Sequence, residues 1–307
     1  MDLFDDRIEK FAPLADRMRP KSLDEFVGQE HLIAEGKVLR NAIINDAVTN
    51  CIFFGPPGCG KTTLATIIEE NTKANFFRLN AVTAGVADVR KIIEEATDSL
   101  KYYGKRSYLM LDECHRWNKA QSDSVLPAIE KGIVILIGST TENPMISMTS
   151  AIVSRCRIFE FKPLIAKNIQ QTILRALKDK SRGYGNMSVS LTREAMKQLC
   201  LLSNGDVRCA LNGLELAVVS SRPDNKGNIL INDDIIAQSI QKKSIQCDDN
   251  QYYDMISAFI KSMRGSDVDA ALYWFGVMIY AGVDPRLIVR RMIVHASEDV
   301  GLADPTA

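Results

Sequence analysis

A chain of 307 residues has room for two or three domains, and 46% apolar with 25% charged residues are the proportions of an ordinary globular protein. The formal net charge is zero, so no chain-wide basic field draws nucleic acid and any such binding must rest on local patches. The acidic start MDLFDDRIEK has no apolar segment of the kind a secretory signal needs, and IVILIG (133–138), about the longest apolar run, is far short of a membrane span. A cytoplasmic protein is expected. Seven scattered cysteines without a C-x-x-C pair, and three histidines in all, argue against a disulfide framework and against a zinc module.

In chain order, Ser22-Leu-Asp-Glu25 has the S-x-x-E pattern of a capping box and predicts a short helix before Gly28. NCIFF (50–54) then reads as a short buried strand, followed by GPPGCGKTT (55–63) and the helical run LATIIEE. Gly55 to Thr62 fit G-x-x-x-x-G-K-[ST] between a strand and a helix, the setting that a phosphate-binding loop requires. Glycines there let backbone N–H groups close on phosphate oxygens, and the helix N-terminus adds a favourable dipole. Lys61 is placed to neutralise the β- and γ-phosphates of ATP, and the Thr62 hydroxyl to ligate Mg²⁺. Cys59 lies between Gly58 and Gly60 beside Lys61, and is expected to be the most reactive thiol.

NFFRL (75–79) reads as a second strand. In VADVRKIIEEATDSL the apolar positions Val89, Ile92, Ile93, Ala96 and Leu100 share one helical face. The strand SYLML (107–111) runs into Asp112-Glu113-Cys114-His115, which spells both a helicase DExH box and the Walker B end of an AAA+ ATPase strand. As Walker B, Asp112 holds the Mg²⁺ shell and Glu113 deprotonates the attacking water. The following strands, IVILIG (133–138) and RIFEF (157–161), complete an alternation of strands and helices that implies a parallel sheet covered on both faces. Between them IGSTTENP puts Thr140, Thr141 and Asn143 at a strand end facing the nucleotide. A DExH helicase needs a second RecA-like domain; residues 164–307 read as helices, so DECH is taken as Walker B and His115 as incidental to it.

Helical segments are expected at about 165–180, 191–202, 206–220 and 232–241, with no strand between them. After the polar stretch QKKSIQCDDN, GSDVDAALYWFGVMIYAG runs from an N-cap to a glycine stop, and Asp284-Pro285 opens another helix. Leu272, Phe275, Met278 and Ile279 read as bundle core or as a subunit contact, which the pattern does not divide. Two arginines stand out. Arg155 precedes the fifth strand and reads alone as either a catalytic cation or a solvated strand-edge charge. Arg208 falls in the first turn of a helix capped by Asn204 or Asp206, where a cation opposes the helix dipole. Asn80 reads as a strand-end turn residue or as a partner for Glu113, and KYYGKR (101–106) as a solvated loop or a base-stacking patch.

Together PLADRMRPKSLDEFVGQEHL (13–32), GPPGCGKTT, LDECHRWNKAQSD, IGSTTENP, SRCRIFEF, NGDVRCALNGLE and ASEDVGLADP resemble the RarA/MgsA family, bacterial AAA+ ATPases of the clamp-loader clade related to the eukaryotic Werner-helicase-interacting protein. The resemblance implies an α/β AAA+ core with a parallel sheet (1–163), an all-helical lid (164–245) and a helical oligomerisation region (246–307). That last region is expected to be incomplete, because the chain stops at GLADPTA. It implies nucleotide contacts from Val27, Gly55, Pro56, Pro57, Gly58, Cys59, Gly60, Lys61, Thr62 and Thr63, and metal contacts from Thr62 and Asp112. Thr141 becomes sensor 1, Arg208 becomes sensor 2, and Arg155 becomes an arginine finger acting on a neighbour's ATP. The implied partners are single-stranded, gapped or forked DNA, single-stranded DNA-binding protein and a homotetramer, in a cytoplasmic, nucleoid-associated setting. Cys59, Cys114 and Trp117 depart from the family pattern without removing a group the chemistry needs.

Overall fold

The computed structural model describes residues 11–240, 249–304 and 306, in two compact units that divide between Gln241 and Lys242. The start MDLFDDRIEK, the expected boundary at 245/246 and Cys247 lie outside the described residues.

The first unit is built on a parallel sheet of β1 (Cys51–Phe54), β2 (Asn75–Asn80), β3 (Ser107–Asp112), β4 (Ile135–Thr140) and β5 (Arg157–Glu160), in the order β2-β3-β4-β1-β5. Its helices begin with α1 (Leu14–Arg17), α2 (Glu30–Ile33), α3 (Val38–Ile44) and α4 (Lys61–Asn71). α5 (Val86–Tyr103), α6 (Lys119–Glu130), α7 (Pro144–Ser147) and α8 (Ser150–Val153) follow. The central strands are continuous apolar runs because both faces are covered. Leu109, Leu111, Ile52 and Leu136 face α5 and α6, where Val89, Ile92, Ala96 and Val125 are buried. The alternate residues Tyr108, Met110, Phe53 and Ile137 face α3 and α4 with Leu39, Ile43, Leu64 and Ile68. The edge strands β2 and β5 carry the polar letters, Asn75 and Arg78 on one and Arg157 and Glu160 on the other. Val89, Ile92, Ile93 and Ala96 of the predicted α5 stripe thus pack on the sheet, while Leu100 is half-buried outside that cluster.

Past Pro163 the chain forms α9 (Ala166–Lys178), α10 (Arg193–Leu202), α11 (Val207–Ser220) and α12 (Asp233–Ser239). The all-helical expectation for this segment is corrected by two strands, β6 (Ser188–Leu191) and β7 (Asn228–Ile231), paired in parallel from Ser188↔Asn228 to Leu191↔Ile231. Four-residue strands whose partner is 40 residues away leave little local signal. Each then leads into a capped helix, Thr192 accepting from Ala195 N–H and Asn232 from Ile235 N–H. Leu14 and Met18, in the lead-in segment, are buried with Ile173, Leu211 and Leu214 of these helices and not against the sheet.

Ser22 also departs from its pattern. Its hydroxyl accepts from Glu25 N–H at 3.3 Å, but the chain makes a turn there and no helix. The Glu25 carboxylate is instead gripped at both oxygens by Arg182, at 3.0 and 3.1 Å.

The second unit holds α13 (Asp249–Arg264), α14 (Val268–Tyr280) and α15 (Pro285–Val294). The predicted caps form: Asp267 accepts from Ala270 N–H, Asp284 from Arg286 N–H, and Gly282 takes φ 78°. Of the ambiguous residues on α14, Met278 is buried with Phe259 and Ile288, whereas Leu272 and Ile279 are exposed.

Candidate nucleotide site

The site grows from the C-terminal edge of the sheet, where β1, β3 and β4 end. β4 lies between the other two, with Phe53↔Ser139 on one side and Leu111↔Gly138 on the other. One cleft is lined by Val27, Pro57 to Thr63, Asp112, Glu113, Thr141 and Arg208, bringing together expected residues from five separated segments.

The loop's shape follows from its glycines. Gly58 and Gly60 have φ of 65° and 105°, a region L residues avoid. A Cβ on Gly58 would run into the Asp206 carboxylate, and one on Gly60 into the Phe26 ring. Val207 N–H donates to Gly58 O at 3.2 Å, so the start of α11 is bonded directly to the loop. Asp206 is the N-cap of α11, accepting from Cys209 N–H at 3.0 Å, which chooses between the two caps the sequence left open.

Lys61 is 8% exposed, and its ammonium donates to Gly55 O at 2.6 Å and to Pro56 O at 2.7 Å. Gly55 and Pro56 do not line the cleft; they hold the lysine from beneath. Burial pushes the Lys61 pKa below the usual lysine value, against the opposing pull of Cys59, Glu113 and Asp112. An anion in the cleft would stabilise that ammonium, and a buried cation with adjacent hydroxyls, N–H groups and two carboxylates is the donor set a metal-bound polyphosphate needs.

Cys59 requires a correction. It is 1% exposed, its thiol donates to Pro56 O at 2.9 Å, and burial raises its pKa despite the neighbouring Lys61. A reactive thiolate is not what this environment favours, because desolvation outweighs the cation and the helix end.

Asp112 ends β3 and accepts a hydrogen bond from Ser139 Oγ. Glu113 follows at φ 54°, an uncommon conformation for a non-glycine residue. Its carboxylate is 42% exposed and lies 3.5 Å from His115 Nδ1. Thr141 lines the cleft, while Thr140 is buried and Asn143 caps α7 by accepting from Met145 N–H. Asn80 Oδ1 accepts from Val82 N–H at 2.9 Å, the strand-end turn of its two readings. KYYGKR closes α5 through Gly104 at φ 61°, with Tyr102 and Tyr103 exposed and Arg106 paired to Asp46 at 3.5 Å.

Arg155 is not in this cleft. It precedes β5, whereas the phosphate loop follows β1; the strands are parallel, so the two lie at opposite ends of the sheet. Its guanidinium donates to Glu130 Oε1 at 2.9 and 2.5 Å and to Ala151 O at 2.8 Å.

Three further participants were not legible in sequence. Gln29, 4% exposed at φ 60°, donates to Cys59 O at 3.3 Å and to Lys162 O at 2.6 Å, tying the loop to the chain after β5. Arg175 lines the cleft while donating to Glu25 O and Met18 O. Ser139 orients Asp112, and only its alternation with Gly138 in an apolar strand hinted at it.

A parallel sheet of this order, with a phosphate loop after β1, acidic residues after β3 and a helical bundle behind, defines an AAA+ P-loop ATPase. Residues 18–154 match the Holliday junction DNA helicase RuvB P-loop domain, 185–264 the AAA C-terminal domain, and 265–307 the MgsA AAA+ ATPase C terminal. Replication-associated recombination protein A of Escherichia coli K12 is 44% identical over 299 residues, covering 97% of this chain and 67% of that protein. The protein of the same name from Bacillus subtilis is 43% identical, covering 96% and 69%. ATPase WRNIP1 of Dictyostelium discoideum is 37% identical, over 97% and 36%. Among solved structures, the Thermotoga maritima RuvB Holliday junction branch migration motor superposes with TM-score 0.56 at 26% identity, covering 80% of this chain and 79% of that one.

The chain belongs to the family of replication-associated recombination protein A, and is an AAA+ ATP hydrolase. It spans about two-thirds of the length of those bacterial relatives. No helix among the described residues is long and apolar enough to cross a membrane.

Proposed function

We propose that the protein is a DNA-dependent ATPase that acts at stalled or gapped replication forks, as a homotetramer with single-stranded DNA-binding protein as partner, in a cytoplasmic, nucleoid-associated setting. The observation that carries the reading is the convergence of Lys61, Thr62, Asp112, Glu113, Thr141 and Arg208 on one cleft in a chain of this family. Val27 and the loop from Pro57 to Thr63 hold ATP, with Gly55 and Pro56 bracing Lys61. Thr62 and Asp112 hold Mg²⁺, which supplies charge neutralisation on the phosphates. Glu113 takes a proton from the attacking water, and Thr141 orients the reacting end. Arg208 reports nucleotide state to α11, whose N-terminus is bonded to the loop through Val207. Arg155 acts on a neighbouring subunit's site, since it lies at the far end of the sheet from its own loop. The chain is organised as a core (1–163), a lid (164–245) and an oligomerisation region (246–307).

The likeness of residues 18–154 to the RuvB P-loop domain favours one rival, a Holliday-junction motor, beside which a clamp-loader subunit is the other rival in the enzyme class. The match of residues 265–307 to the MgsA C terminal argues for the first reading. An ATP-gated scaffold with little turnover is the rival of another class. ATPase rate measured against single-stranded, gapped, forked and four-way DNA separates them. Stimulation by gapped or forked DNA is expected; preference for four-way junctions, or no turnover with any DNA, overturns the proposal.

A further inference from the structure

Of the DECH stretch, Asp112 and Glu113 line the cleft and Cys114 is buried in the core, while His115 has surroundings that are not those of an idle side chain. The ring is 4% exposed. Nδ1 lies 2.9 Å from Thr140 Oγ1 and 3.5 Å from Glu113 Oε2, and Nε2 lies 3.4 Å from Glu142 Oε1. Thr140 in turn accepts from Glu142 N–H at 3.0 Å, so the tip of β4 is folded around the imidazole. Burying a polar ring is costly unless its nitrogens find partners; Nδ1 has a hydrogen-bond partner in Thr140, and the Glu113 and Glu142 carboxylates flank the ring at ion-pair distance.

We propose that His115 is a positioning residue for hydrolysis: it holds the Glu113 carboxylate and links its position to Thr140, the neighbour of Thr141. This rests on the reading of Glu113 as the general base. Glu113 is half exposed on a long side chain, and its backbone is in the left-handed region. Without a bracket its carboxylate samples orientations that do not face the water. The imidazole restricts it from the β4 side and makes any shift of the β4 tip felt at the base. Such a contact affects the chemical step and leaves nucleotide affinity alone, since His115 does not line the cleft.

The test uses the full chain with His115→Ala, His115→Asn and Glu113→Gln, and His115→Ala combined with Glu113→Gln. ATP turnover, KM, binding of a fluorescent ATP analogue and Tm are measured for each. His115→Ala is expected to lower kcat about 10- to 100-fold, with KM and analogue affinity within about twofold. His115→Asn, which keeps a polar group near Thr140, should recover part of the loss. In the Glu113→Gln background His115→Ala should add little in single-turnover assays, because the group it positions is gone. Unchanged kcat in His115→Ala with Glu113→Gln inactive overturns this proposal alone. So does a fall in kcat and affinity together with a lowered Tm that Asn does not relieve, or full additivity of the two losses. Normal turnover by Glu113→Gln overturns the base assignment beneath it.

Discussion

Lys61 sits where burial opposes its charge and lowers its pKa, and its Nζ donates hydrogen bonds to the carbonyls of Gly55 and Pro56. Lys61→Ala removes the main cation facing the phosphates and should abolish binding of a fluorescent ATP analogue while the protein stays folded. Near-normal affinity would refute the loop assignment. At Cys59, two residues away, burial likewise outweighs the neighbouring cation and raises the thiol pKa, and a thiol has no cost in staying neutral. Cys59 should therefore be alkylated more slowly than the half-buried Cys200 in the native protein, and as fast as Cys200 in denaturant. Mass spectrometry that finds Cys59 labelled first would contradict this. Arg155 is engaged by Glu130, an exposed pair that contributes little to stability.

At the scale of elements, the phosphate loop and the start of α11 are in direct contact, through Val207 N–H to Gly58 O and the Asp206 carboxylate against Gly58. Gly58→Ala has to move either the loop or Asp206, the cap of α11. It should cost about 1–3 kcal/mol of stability and weaken ATP binding, with calorimetry and analogue titration as the checks. Retention of both would mean the two elements are not coupled. The lead-in segment is joined to the helices behind it by Glu25 and Arg182. The hydrogen bonds from Arg182 hold the Glu25 carboxyl below its ordinary value. A depressed carboxylate stabilises the fold above the unfolded-state pKa of about 4.3 and loses that contribution as pH falls through the lower folded value. The Tm difference between the native chain and Glu25→Gln should thus be largest near neutrality and shrink below about pH 4. A difference constant down to pH 3 would remove the ion pair from the account.

At the scale of the whole molecule, the placement of Arg155 away from its own loop sets the sharpest test. Arg155→Ala should bind ATP nearly normally and hydrolyse it slowly, by about 10³-fold or more if it acts as a finger. Lys61→Ala should be inactive because it cannot bind ATP. Mixed and allowed to exchange subunits, the two should regain partial activity at interfaces that pair an intact loop with an intact arginine. If labelled subunits are seen to exchange and no turnover returns, Arg155 does not act across an interface.

The sequence by itself determined the elements whose signals are local. The strands of the sheet, the stripe of α5, the caps at Asp267 and Asp284, and the loop from Gly55 to Thr62 each rest on residues within a few positions of one another. Strand–helix alternation then required a parallel sheet, and with it the gathering of Lys61, Asp112 and Thr141 at one edge. Tertiary structure alone decided what depends on distant partners. It paired β6 with β7, sent Leu14 and Met18 to the bundle past Pro163, and turned the capping pattern at Ser22 into an anchor for Arg182. It also enclosed Cys59 and set His115 between two carboxylates. In each case the free energy lies in burial and in pairing across long stretches of chain, and neither is a property of the neighbouring letters.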